Sequence, residues 1–266
     1  MIRKWVLFMV LLSWASDLTA TELRFNTRDF YPFSYQVNQR VSGPVADIIR
    51  EVCKRIDITC SFKLMDWTLA QKEVQEGKAD GLFVVGWNRQ RADWLLFSPQ
   101  ILKTEYGFFM AAGNIVQFKE NRDIAGFRVG VYGPSNTSRL LNEIHDKMSR
   151  DQTIKPIEID LRPDEVELLK DLNSSNRTIT AVYSNKDVGN AIKKKLGLIN
   201  VLYAGTQKKL DYFIGFNKKT IDKKLLFRFN SEFIKLYKSG YVKKTLDFYD
   251  IEQGVIEPHI INYYSQ

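Results

Sequence analysis

Histidine and cysteine are scarce in this chain of 266 residues, with two of each. His145 and His259 stand far in sequence from Cys53 and Cys60, so no group with metal-ligand spacing is present. No Gly-x-Ser-x-Gly elbow and no Ser/His/Asp order appears, which removes the sequence signals of a nucleophilic hydrolase. Beyond the N-terminus no apolar run approaches the ~20 residues of a membrane-spanning helix. There is no internal repeat, no low-complexity segment and no motif for a cofactor. Basic residues outnumber acidic ones, 39 to 31. Yet the lysine clusters at 193–195, 208–209, 218–219, 223–224 and 243–244 have no aromatic motif interleaved, so no nucleic-acid partner is expected. They read as solvated helix faces, with weak attraction for anionic surfaces as the second possibility.

What is present begins at the N-terminus. Arg3 and Lys4 precede an apolar run over residues 5–14, and small and polar residues follow, ending Leu18-Thr19-Ala20. This is the layout of a secretory signal peptide over residues 1–20, with a retained anchor as the alternative. Leu18 is bulkier than the small residue usual at its position. Removing residues 1–20 takes away two basic residues and one acidic one, so the net charge falls from +8 to about +7. The expected product is exported, soluble and monomeric. In an oxidising compartment the close pair Cys53 and Cys60 reads as a structural disulfide.

Strands and helices alternate along the rest of the chain. Strands are expected at 22–27, 60–64, 79–85, 104–112, 127–132, 178–183, 201–204 and 210–216. Helices are expected from Pro44, over 67–76 behind an Asp66 cap, after the loop 133–138, over 166–172 and 188–196, and in the tail over 221–237 and near 243–249. The pattern predicts an α/β fold with mainly parallel sheets. Its centre is Gly77 to Pro99, where a buried strand runs into Trp87, Asn88, Arg89 and Arg91. Ligands of open α/β sheets bind at the carboxyl ends of strands, and an arginine there can fork onto a carboxylate. The loop Ser135-Asn136-Thr137 at a helix start offers free backbone N–H groups for an anion, or is an ordinary helix cap.

Several positions together carry a resemblance: Tyr31-Pro32-Phe33-Ser34, Asp47-Ile48, the Cys53/Cys60 pair, Asp66-Trp67, Gly77-Lys-Ala-Asp80, Gln90-Arg91 with Phe97-Ser98, and Val129-Gly-Val-Tyr-Gly133 with Ser135. Over about residues 22–250 the chain resembles the periplasmic solute-binding proteins of the polar amino-acid uptake family, bacterial extracellular solute-binding protein family 3. The cysteine spacing is similar to that of its lysine/arginine/ornithine and histidine branch. The resemblance implies a two-lobed periplasmic-binding-protein-like (type II) fold whose hinge is two crossover strands. Lobe 1 would take 21–108 plus 206–266, and lobe 2 would take 109–205. It implies that Arg91 holds a ligand carboxylate, that Ser135, Asn136 and Thr137 donate from the other lobe, and that Phe30 and Trp67 sandwich the ligand. Core packing is the other reading of Phe30 and Trp67.

Two departures bear on specificity. Asn185 stands where the family usually has an aspartate that pairs with the ligand ammonium. The segment before Arg91 is one residue shorter, with Val84, Val85 and Gly86 in place of serines, so Trp87 and Asn88 are expected to reshape the pocket. The function expected is capture of a small carboxylated solute, an amino acid, for delivery to an ABC-type permease in the inner membrane. The alternatives are an extracytoplasmic sensor module and, less favoured, a dehydratase-like enzyme on the same scaffold, for which Glu105 and Asp29 are the available carboxylates.

Overall fold

In the computed structural model, residues 22–266 are described; the expected signal segment lies outside them. Strand β1 (Glu22–Thr27) turns Leu23 and Phe25 into the core. A small hairpin, β2 (Tyr35–Val37) and β3 (Arg40–Ser42), leads into helix α1 (Pro44–Arg55), which starts on Pro44 as expected. Its buried stripe of Val45, Ile48, Ile49 and Val52 has helical spacing. Strand β4 (Thr59–Leu64) follows, and then helix α2 (Trp67–Gln75), where Asp66 accepts hydrogen bonds from the N–H groups of Thr68 and Leu69 at 2.8 and 3.0 Å. Strand β5 (Gly81–Gly86) is buried at every position, because both faces of its sheet are covered. β1 lies parallel to both β4 and β5.

After β5 come the single turn α3 (Arg89–Ala92), the short strand β6 (Leu95–Phe97) and the long strand β7 (Leu102–Ala111). The second lobe is built from β8 (Arg128–Tyr132), α4 (Asn136–Arg150), β9 (Glu158–Arg162), α5 (Glu165–Asn173), β10 (Ala181–Asn185) and α6 (Lys186–Leu196). The chain returns along β11 (Val201–Asn217) and ends in α7 (Lys223–Lys238), α8 (Tyr241–Asp247) and α9 (Pro258–Tyr263). Helix α7 packs on α1, and its Phe229 meets Phe25 and Phe216 at ring-centre distances of 6.3 and 5.2 Å.

The strand order is β4-β1-β5-β11-β7-β10-β8-β9, with β6 also on β11. Within each lobe the neighbouring strands β4-β1-β5 and β10-β8-β9 are parallel. β7 and β11 run antiparallel to each other and to their neighbours β10 and β5. They pair from Leu102 opposite Tyr212 to Ala111 opposite Val201 and so pass through both lobes. This is a two-lobed type II architecture with two crossover strands.

The two strands expected at 201–204 and 210–216 are the ends of one strand of 17 residues. Register shifts at Tyr203/Gly205 and Thr206/Lys208 break the alternation of its side chains, and Lys208 and Lys209 are exposed where it spans the lobes. That is why its middle resembles a loop in sequence. Strand β9 was not expected either; it lies at the sheet edge and carries Glu158, Asp160 and Arg162, a charged pattern typical of protected edges.

Cys53 and Cys60 are joined by a disulfide that ties α1 to β4, with Cα atoms 6.1 Å apart. Closing a loop this short stabilises by about 2.5 kcal/mol on the chain-entropy account. Replacing both cysteines by alanine is expected to lower the urea-unfolding free energy by that amount. An unchanged urea midpoint would mean that the crosslink does not restrict the unfolded chain.

Candidate functional site

The site is built outward from the carboxyl end of β5. Asn88 caps α3, its Oδ1 accepting the Arg91 N–H at 2.8 Å, and this local bond fixes where the Arg91 side chain starts. Arg91 is 7 % exposed. Its Nη1 donates to the Gly86 carbonyl at 2.9 Å and its Nε to Gln71 Oε1 at 3.3 Å. The guanidinium carbon lies 5.3 Å from the Trp67 ring centre. Among the described residues Arg91 has no ion pair, and its Nη2 donates to no protein acceptor. Burial pulls its pKa below the ordinary arginine value; the Tyr106 and Tyr212 hydroxyls oppose this, and the nearby Arg139 and Arg28 add to it. The group stays cationic all the same. A buried cation without a counter-ion is expensive, and an anion from outside the chain would offset that cost.

The facing wall is the start of α4. Ser135 is its cap: Ser135 Oγ accepts the Ser138 N–H at 3.1 Å, and Ser138 Oγ accepts the Ser135 N–H at 2.9 Å. The Ser135 hydroxyl also donates to the Tyr132 carbonyl at 2.7 Å and lies 2.6 Å from Thr137 Oγ1. The side chain is therefore spent on the chain itself. What remains for an anion is the first-turn backbone, where Asn136 and Thr137 stand before intrahelical bonding begins. Between the walls, Tyr106 from β7 and Tyr212 from β11 share a hydrogen bond of 2.8 Å. Burial raises the pKa of both phenols, so they remain neutral donors.

These groups converge on one cavity of about 30 Å³ between the lobes. From the first lobe Phe30, Trp67 and Arg91 line it, and from the second Ser135, Asn136, Thr137 and Asn185. Phe30 is both cavity wall and core: its ring lies 5.2 Å from Phe33 and 5.7 Å from Tyr212. Asn88 faces an adjoining groove instead, together with Arg91, Ser135 and Asn136. Trp87 lines neither space and is 58 % exposed, because the turn after β5 directs it to solvent.

Asn185 differs from the expectation in a specific way. Its Oδ1 caps α6, accepting the N–H groups of Asp187 and Val188 at 2.9 and 3.1 Å. Its Nδ2 donates to Thr104 Oγ1 at 2.7 Å, with Tyr212 Oη at 3.4 Å. Both ends of the amide are engaged within the chain, so no acceptor is left over for an ammonium. The carboxylate that does line the cavity is Glu165, which sequence reasoning missed, as it did Arg28, Tyr106 and Tyr212. Arg28 follows directly on β1 and so obeys the rule that singled out Arg91. Glu165 at the start of α5 looks in sequence like an ordinary first-turn acid. A second cavity of about 540 Å³ opens on the far side of Arg28 and Glu165, and Arg28, Trp67 and Glu165 line both spaces. The convergent buried donors surround the smaller of the two spaces.

The description of the bacterial extracellular solute-binding proteins, family 3, matches residues 23–249. The probable amino-acid-binding protein YxeM of Bacillus subtilis (strain 168) is 25 % identical over 233 residues, covering 87 % of this chain and 84 % of that protein. A histidine kinase sensor domain with similarity to periplasmic binding proteins aligns with a TM-score of 0.76 at 18 % identity, over 88 % of this chain and 99 % of that one. An ancestral arginine-binding protein bound to arginine aligns with a TM-score of 0.73 at 21 % identity, over 86 % and 97 %. At such identities the solved structures speak for the fold alone. The match over residues 23–249 is what decides the family: the chain belongs to the bacterial extracellular solute-binding proteins, family 3, and has the two-lobed form of an extracytoplasmic protein that binds a small polar or charged solute.

Proposed function

We propose that this protein captures a small carboxylated solute, an amino acid by preference, between its lobes in the periplasm and passes it to an inner-membrane permease. The lobes are taken as 21–108 with 206–266, and 109–205. The observation that carries the reading is Arg91, a buried guanidinium whose hydrogen bonds go only to neutral acceptors of the chain. The solute carboxylate sits between the free edge of Arg91 and the first-turn N–H groups of Asn136 and Thr137, where the helix dipole adds to the attraction. Trp67 flanks the solute, the face of Phe30 being taken by the Arg28 guanidinium 3.8 Å from its ring centre, and Glu165 takes the role of ammonium partner in place of Asn185.

The cavity of about 30 Å³ is far smaller than the roughly 300–1,000 Å³ of small-molecule sites. Entry therefore requires the lobes to part, and bending of the crossover strands β7 and β11 is the motion that permits it. The test is a thermal-shift screen of residues 21–266 against amino acids, amines and small carboxylates. Ligand at one hundred times its Kd stabilises by about 2.7 kcal/mol, a shift of roughly 5–10 °C in a domain of this size. Stabilisation by amines with silence among the carboxylates would sink the reading.

A further inference from the structure

Arg28 stands where the two cavities of the cleft meet. Its guanidinium carbon lies 3.8 Å from the ring centre of Phe30 and 4.3 Å from that of Tyr132. One ring comes from each lobe, and the cation is held between them. Its nearest acid is Glu165, with Oε2 3.9 Å from Nη2, which is an ion pair beyond hydrogen-bond reach. The other oxygen of Glu165 accepts a hydrogen bond from the Ser184 hydroxyl. Although its side chain is only 15 % exposed, Arg28 donates no side-chain hydrogen bond to another described residue. Its planar fork of five N–H donors is unspent. The small cavity thus has two arginines, Arg28 and Arg91, facing one carboxylate, Glu165.

We infer that Arg28 sets the charge of the solute: it fills the aromatic slot that a cationic side chain would need, and offers its donors to a second anionic group. The site then takes acidic, dicarboxylate amino acids and rejects cationic ones. This rests on the carboxylate reading of Arg91. Two anionic groups would satisfy the two arginines, and the ammonium would meet Glu165. A cationic side chain would have to displace Arg28 from between Phe30 and Tyr132 and remain beside a like charge.

The experiment is calorimetric titration of L-glutamate, L-aspartate, L-glutamine and L-arginine into the wild type, Arg28→Met and Arg28→Lys, with Arg91→Ala alongside. Methionine keeps an unbranched apolar stem between the rings, and lysine keeps the charge. The wild type is expected to prefer an acidic ligand over glutamine by at least 10-fold. Arg28→Met should lose roughly 10–100-fold for the acidic ligand, the worth of hydrogen bonds to a charged group, while glutamine binding changes little and arginine binding appears. Arg28→Lys should keep the acidic preference in weakened form. A wild type that prefers glutamine or arginine overturns the inference. So does an Arg28→Met variant that weakens every ligand equally, which is what stacking alone would give. If Arg91→Ala still abolishes binding in either case, only the role of Arg28 falls. If the wild type binds no carboxylate, the reading of Arg91 falls with it.

Discussion

Replacing Arg91 by methionine is expected to abolish solute binding with little change in stability. Binding is lost because the substitution removes a desolvated, charge-assisted donor pair. Truncating one member of such a pair costs about 2–5 kcal/mol, or roughly 30- to several-thousand-fold in Kd. Stability holds because the chain supplies no counter-ion for this cation among the described residues, and a buried charge without one carries a penalty of several kcal/mol. Against that gain stand the bonds to the Gly86 carbonyl and to Gln71, together worth about 3–6 kcal/mol for a charged donor. The two terms nearly cancel, so the melting temperature should stay within about 5 °C of the wild type. Calorimetric titration and thermal unfolding of the same variant separate the two readings of the residue. A melting temperature lowered by more than about 5 °C would make Arg91 a structural strut. Retained affinity would remove it from the site.

How much of this site is visible in sequence depends on the range of the interactions that build it. Asp66 at the start of α2, Pro44 at the start of α1 and Ser135 at the start of α4 act within three residues, so their roles can be read locally. The apolar run ending at Gly86 and the arginine beyond it likewise mark a strand end without any knowledge of the fold. Other features depend on distant partners. Asn185 looks free in sequence, and only the neighbouring strand β7 brings Thr104 to its amide. Tyr106 and Tyr212 are 106 residues apart, and their contact exists only because β7 and β11 lie side by side. Arg28 and Glu165 come from different lobes, and nothing local to either foretells the stacking on Tyr132. The resemblance to a family supplied the positions that many members share. It could not supply those by which this chain departs from them.

Alanine at Gly107 is expected to be among the most damaging single-methyl changes in the protein. Gly107 lies at mid-length in β7, opposite Thr206 on one side and Ser184 on the other. A Cβ there would overlap the carbonyl oxygen of Gly205 and the Tyr203 hydroxyl. Tyr203 can swing away, but the carbonyl belongs to the backbone of β11. Gly205 is itself held at φ +151, a conformation that side chains rarely adopt, between the two register shifts of that strand. The two crossover strands would have to separate, so the cost falls at or above the upper end of overpacking, about 3 kcal/mol. For a domain of this size that is a fall of roughly 6–12 °C in melting temperature. Gly113→Ala is the control, since its Cβ would meet nothing within 4 Å, and it should stay within about 0.5 kcal/mol of the wild type. The damage should also reach the site: Tyr106 is the next residue in β7, and its hydroxyl bonds to Tyr212 across the same pair of strands. Gly107→Ala should therefore weaken solute binding even at temperatures where it is fully folded. If it melts and binds like Gly113→Ala, the crossover strands have slack at this point, and the hinge must be sought at another level of β7 and β11.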